Sequence, residues 1–239
     1  MSSNKPYRTD YRKNPGKGNR KNNGRNYGGT KKGKYQKAVF TRMRGAGFAD
    51  TLFVQLNYVE SLNLSNGSPR IQYTFRGNSL FDPDYTGTGH QPMYFDQYAA
   101  IYQRYRVLGS SIRVDCINAQ GLSACYFIMF PNTEIATLTS IPLALEQSRA
   151  RAANIMPIAG GGPAARYQQY CSTRKACGLT KGEFYDDTYS STVGNNPNQI
   201  WYWNLFWETT DSSSDVTVNA IVKLVYYVQF YDKAPGVLS

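Results

Sequence analysis

One stretch gathers the side chains that do metal and acid–base chemistry. DPDYTGTGHQPMYFD, residues 82–96, holds Asp82, Asp84, His90 and Asp96. Three carboxylates and an imidazole are the donor types of a divalent-ion site or of a general acid–base pair. The same residues also make turn chemistry. Asp-Pro-Asp sets up a bend, and Asp96 stands where it would cap a following helix. The capped turn is preferred, with a subunit-bridging divalent ion as the alternative, so no metal and no cofactor is expected. Cys116, Cys125, Cys171 and Cys177 form no CxxC pair. Together with the one histidine they make a poor zinc set. All four sit in strand-like runs and read as small buried thiols. No GxSxG, Walker loop, HExxH, or GxGxxG in strand–helix context is present, and the chain is not expected to be an enzyme.

The strongest chemical signal is charge. Residues 1–44 contain fourteen bases: Lys5, Arg8, Arg12, Lys13, Lys17, Arg20, Lys21, Arg25, Lys31, Lys32, Lys34, Lys37, Arg42 and Arg44. Asp10 is their only acid, which gives +13, while the rest of the chain has thirteen bases against fifteen acids, or −2. An arm of that sign is suited to nucleic acid, because Lys and Arg neutralise phosphates and release counterions without reading sequence. Tyr7, Tyr11, Tyr27 and Tyr35 are interleaved with the bases and can stack on unpaired nucleobases, Tyr27 and Tyr35 above all. Lys31, Lys32, Lys34 and Lys37 also have the density that nuclear import receptors read. No Leu, Ile, Val, Phe or Trp occurs before Val39, so the arm lacks the apolar surface needed to fold and is expected to be disordered.

From residue 50 onward the pattern changes to period two. DTLFVQLNYVE, RIQYTFR, SSIRVDC and NAIVKLVYYVQFY alternate apolar with polar residues, as half-buried antiparallel strands do. SACYFIMF is apolar on both faces, like a covered strand. QIWYWNLFWE puts Trp201, Trp203 and Trp207 on one face, where they read as core. The polar faces carry Arg70, Arg76, Arg113 and Lys223, which read as solvated or as lining a lumen that holds nucleic acid. Two helical signals remain, about Phe95 to Arg104 and near Pro142–Arg149. Twenty Tyr and eleven Phe also lean toward sheet. Long loops rich in Gly, Pro and Asn separate about eight strands. The expected fold is therefore all-β, a single eight-stranded jelly roll of two packed antiparallel sheets over 45–239, behind the arm of 1–44.

No apolar run reaches the roughly 18–20 residues of a membrane span, and the start lacks a secretory apolar core. No membrane partner and a reducing, intracellular origin are expected.

GNSLFDPDYTGTGHQPMYFDQYAAIYQRYRVLGSSIRV, Gly77 to Val114, resembles the capsid proteins of small circular single-stranded DNA viruses, the circovirus-like group. The matching features are a Gly-Asn-Ser turn, an Asp-Pro segment, Gly-His-Gln-Pro, an aromatic helix with YxxY and a V-x-x-S-x-I strand. This arm is rich in Lys, Asn and Gly where Arg dominates in the animal circoviruses. The resemblance implies a jelly-roll subunit in an icosahedral T=1 shell of sixty copies with arms pointing inward. It also implies encapsidation of single-stranded DNA in the host nucleus, a virion location, and a host receptor that the residues do not identify. Sixty arms at +13 carry about 780 charges, enough to offset about as many phosphates. Tyr85, Met93, Tyr94, Pro131 and Gly161, within the Gly160–Gly162 loop, are the expected subunit contacts. The competing expectations are a monomeric or small-oligomeric nucleic-acid-binding protein and the capsid protein of a small RNA virus.

Overall fold

Period-two segments become strands only when they find partners, and here they pair in a nested order. The computed structural model describes residues 47–119 and 123–235. Strand β1 (Thr51–Ser65) pairs antiparallel with β9 (Thr217–Lys233), and β2 (Arg70–Arg76) with β8 (Tyr202–Thr209). Inside these, β3 (Tyr102–Asn118) pairs with β6 (Ala165–Ser172), and β4 (Cys125–Asn132) with β5 (Arg151–Ile155). The ribbon then wraps so that β9 also meets β3, and β8 also meets β4. The result is one sheet in the order β1-β9-β3-β6 and a second in the order β2-β8-β4-β5. That nesting and wrapping is a jelly roll. A ninth strand, β7 (Ser190–Thr192), extends the first sheet by pairing with the start of β3.

The alternating residues meet between the sheets. Leu56, Tyr58, Ile112, Val114, Val222, Leu224 and Tyr226 from the first sheet face Phe75, Phe127, Trp203, Leu205 and Trp207 from the second. Trp201, Trp203 and Trp207 are fully buried, and the Phe127 and Trp207 rings lie 5.0 Å apart. Burying a large apolar side chain stabilises by roughly 1.5–3 kcal/mol, so this aromatic layer dominates the fold. Strands β4 and β8 are buried on both faces. Their outer face carries Ile128, Phe130 and Phe206, which pack under Leu138 and under Ala144 of helix α2 (Ile141–Leu145). That cover explains why SACYFIMF is apolar throughout.

Four local expectations need correction. The aromatic helix is only α1 (Phe95–Ala99), because β3 begins at Tyr102 and pairs along β9, which takes Tyr102 and Tyr105 from the helical pattern. Asp96 lies in the first turn of α1 but does not cap it. The cap position is Tyr94, whose φ of 70° places a bulky residue in the left-handed region. The second helix ends at Leu145 and is capped by Ser140, whose hydroxyl accepts from the Leu143 N–H. Cys177 is not in a strand; it closes α3 (Thr173–Ala176).

Candidate nucleic-acid and assembly surfaces

The arm bases from Lys5 to Arg44, the import candidates Lys31, Lys32, Lys34 and Lys37, and the stacking candidates Tyr27 and Tyr35 all lie outside the described residues. The surfaces that can be built from side chains are those of the jelly roll.

The candidate chemical cluster of residues 82–96 is dispersed by the fold. Asp82 pairs with Arg76 at 2.6 Å. Asp84 is buried; it accepts from the Tyr73 hydroxyl at 2.6 Å and from the Thr86 N–H at 3.0 Å, an Asx turn. Asp96 sits on α1, while His90 turns toward β1. Among the described residues no three His, Cys, Asp or Glu side chains are placed to share a metal ion. The thiols of Cys116 and Cys125 are each pushed up to about 12 by burial, and that of Cys177 to about 11. A thiol held so far from its thiolate is a poor nucleophile and a poor metal ligand.

The four sheet-face cations divide by sheet. On β2, Arg70 is bound to the buried Glu208 at 3.0 Å. Arg76, also on β2, donates to the Asp82 and Asp84 carbonyls and covers the Tyr85 ring at 5.2 Å. Arg70 is thus engaged across the sheet with β8, and Arg76 in holding the loop that follows β2. On the first sheet, Lys223 and Arg113 stand side by side across β9 and β3. Asp115 accepts from Arg113 and Arg166. Burial pushes its carboxyl up, but the two guanidiniums outweigh that and hold it below its ordinary value. Lys223 is exposed and has no acidic partner among the described residues. The outer face of the first sheet therefore carries net positive charge beside exposed Phe53, Val59 and Ile221.

At the β7 end, Arg106 is 6% exposed and sits among the rings of Phe184, Tyr185 and Tyr231, 5.3–5.8 Å from each centroid. It also donates to the carbonyls of Tyr185 and Asp186. Arg104 pairs with Asp187 at 3.0 Å. The two arginines tie the 183–189 segment onto the sheet edge.

The candidate contact residues are placed unequally. Met93 and Tyr94 are 66% and 63% exposed, at the start of α1. Tyr85 is exposed, with its ring edge-on to Tyr202 at 6.0 Å. Gly161 is exposed in a left-handed turn at φ 76°, beside exposed Met156 and Ile158. Pro131 is different: it lies buried in β4 opposite Trp203, so its ring packs inside the subunit and is not a surface contact. Sequence patterning missed Arg149, Arg151 and Lys175, three exposed bases brought to one cleft. Their signal was the acid-free spacing in SRARAA and STRKA.

No family model matches the sequence, and no curated protein matches it. Solved structures do. A 60-mer BFDV capsid protein aligns over 80% of this chain and 100% of that one, at 13% identity and a TM-score of 0.44. The Desmodium yellow mottle tymovirus structure aligns over 82% of this chain and 95% of its own, at 6% identity and 0.44. That of tobacco necrosis virus aligns over 77% and 97%, at 10% identity and 0.42.

Proposed function

We propose that the chain is a viral capsid protein whose jelly roll self-assembles into an icosahedral shell and whose arm packages a single-stranded genome. The carrying observation is the division of the molecule. A +13 arm without core residues precedes a jelly roll region of net −2. An arm of that composition binds any polyphosphate, and many arms are needed to neutralise a long one. A jelly roll exposing Met93, Tyr94, Met156 and Ile158 offers apolar surface that neighbouring copies would cover. Many basic arms beneath one shell join the two requirements.

The finer assignments extend this reading. Residues 1–44 are the nucleic-acid arm and 45–239 the shell domain. The stoichiometry is sixty, and the genome is single-stranded DNA, both following from the resemblance of Gly77–Val114. Phosphate and stacking contacts from the arm serve DNA and RNA alike. Lys31, Lys32, Lys34 and Lys37 would engage import receptors for assembly in the host nucleus, with the virion as final location.

The deciding experiment is the particle mass of the purified full chain by light scattering, with its ultraviolet absorbance ratio. A mass near sixty times the 26.9 kDa chain, with excess absorbance from nucleic acid, supports the shell. A monomer or dimer at both low and high salt would refute it.

A further inference from the structure

The jelly roll region is net negative, yet in one cleft the only charged wall residues are bases. Of its thirteen Lys and Arg, six are ion-paired and Arg106 is caged by aromatic rings. Three of the remaining six, Arg149, Arg151 and Lys175, line a single cleft of about 350 Å³ with no acid in its wall. The cleft lies between the start of β5, the edge strand of the second sheet, and the end of β6, an edge strand of the first.

The cleft is held in shape. The side-chain amide of Gln169, itself 8% exposed, donates to the Arg149 carbonyl at 3.1 Å. Arg149 there adopts a φ of 62°, a conformation non-glycine residues rarely take. Its Nη1 rests 3.5 Å from the Cys171 sulfur, and Arg151 Nη1 donates to the Gln168 carbonyl at 3.4 Å. Each guanidinium has five N–H donors, so both keep several free. Tyr170 also borders the cleft; its side chain alternates to the face of β6 opposite Gln169 and Cys171, where it is 56% exposed and its ring is braced edge-on by Tyr227 at 5.6 Å. The buried Gln169 Oε1 has no partner among the described residues.

Unpaired cations beside a braced, exposed aromatic ring are the two components of a single-strand site, one for phosphate and one for base stacking. We propose that the β5–β6 cleft binds a nucleotide of single-stranded nucleic acid, its phosphate held by Arg149, Arg151 and Lys175 and its base stacked on Tyr170. This inference rests on the proposed packaging role and adds a station on the folded subunit, separate from the arm.

The test uses the full chain and a short 5-iodouracil oligonucleotide, with photocrosslinks mapped to peptides. The expected result is a crosslink on the peptide containing Tyr170, lost in R149Q/R151Q. In parallel, the slope of log affinity against log salt should fall by up to about 0.7, the contribution of the one single-strand phosphate that the cleft holds. K175Q, a change on an exposed side chain, serves if the double variant fails to fold, with a smaller fall expected because it removes one of the three bases on that phosphate. Crosslinks on arm peptides with none at Tyr170, or a Tyr170 crosslink unchanged in the variants, overturn the cleft and leave the arm standing. Absence of crosslinks anywhere overturns the packaging role itself. Protection of Lys175 from acetylation by inorganic phosphate alone, without the Tyr170 crosslink, marks a free-anion site and also overturns the proposal.

Discussion

The Nε2 atom of His90 lies 3.0 Å from the carbonyl oxygen of Val59, on the free edge of β1. Its Nδ1 lies 2.7 Å from the Gln91 carbonyl. A neutral imidazole has one N–H, so only the imidazolium donates to both oxygens. The two carbonyls, Gln91 first, raise the histidine above its ordinary 6.5; the Glu60 carboxylate adds a smaller push, and burial opposes them. The ring also lies against Tyr58, with centroids 4.6 Å apart. With the Met93 N–H bonded to the Asn57 carbonyl, His90 clasps the 82–94 turn to an edge that would otherwise be open.

That clasp gives stability a defined pH dependence. A group whose folded pKa is raised stabilises fully below its unfolded value and stops doing so as pH rises through the folded one. Melting temperature should therefore be higher below 6.5 and decline above it, and H90N should flatten the decline. Thermal melts from about pH 5.5 to 8 check this, across the range where histidine alone ordinarily titrates. Parallel curves for the two proteins would show that the clasp does not depend on the proton.

Glu208 predicts an asymmetry between two substitutions. Its side chain is 3% exposed against 41% for Arg70, and Oε2 has no partner among the described residues. Removing Arg70 leaves the buried carboxylate with only the Ser212 hydroxyl, 3.2 Å from Oε1, which costs about 3 kcal/mol, the low end for such breaks. E208Q removes the charge itself and should cost less. Urea unfolding of R70M, E208Q and the double variant decides: R70M should be the least stable, and the double variant should recover part of its loss. Equal loss in R70M and E208Q would place the cost in packing.

Much of this architecture was legible in the sequence because one physical signal was clean. Period-two alternation marked β1, β2, β3, β8 and β9, and the two-faced apolar run marked β4. The tryptophan spacing placed the core. Strands β5, β6 and β7 were not marked. RAANI is short with exposed alanines, ARYQQYCS alternates through glutamines, and SST is a three-residue pairing made by β3. The surface chemistry was less legible still. Arg76 and Arg113 look alike in sequence, yet one is spent on the carbonyls of its own loop and the other shares a carboxylate on an open face. The β5–β6 cleft needs two sheet edges brought together, which no local spacing reveals.

Ser110 joins the two sheets through the core. Its hydroxyl accepts from Trp203 Nε1 at 3.0 Å and donates to the Gly77 carbonyl at 2.8 Å. All of these groups are buried, so S110A leaves a donor and an acceptor unpaired in a dry interior, a loss of about 2 kcal/mol. W203F removes the indole donor as well, and a double-mutant cycle in urea should show coupling between the sites. Strict additivity would mean that water replaces the hydroxyl.

Deleting residues 1–44 tests the division of labour. The hydrogen bonds and core contacts described lie within 47–235, so the truncated chain should melt within a few degrees of the full one, since a loss of 1 kcal/mol would move a domain of this size by only about 2–4 °C. Its net charge falls from +11 to −2. Binding carried by counterion release depends on those charges, and nuclease protection of bound nucleic acid at physiological salt should disappear. Particles, if they form, should be empty, because the apolar surfaces that copies would cover belong to the jelly roll. Retained protection by the truncated chain would move the packaging function from the arm to the folded subunit, and the β5–β6 cleft would be the first place to mutate.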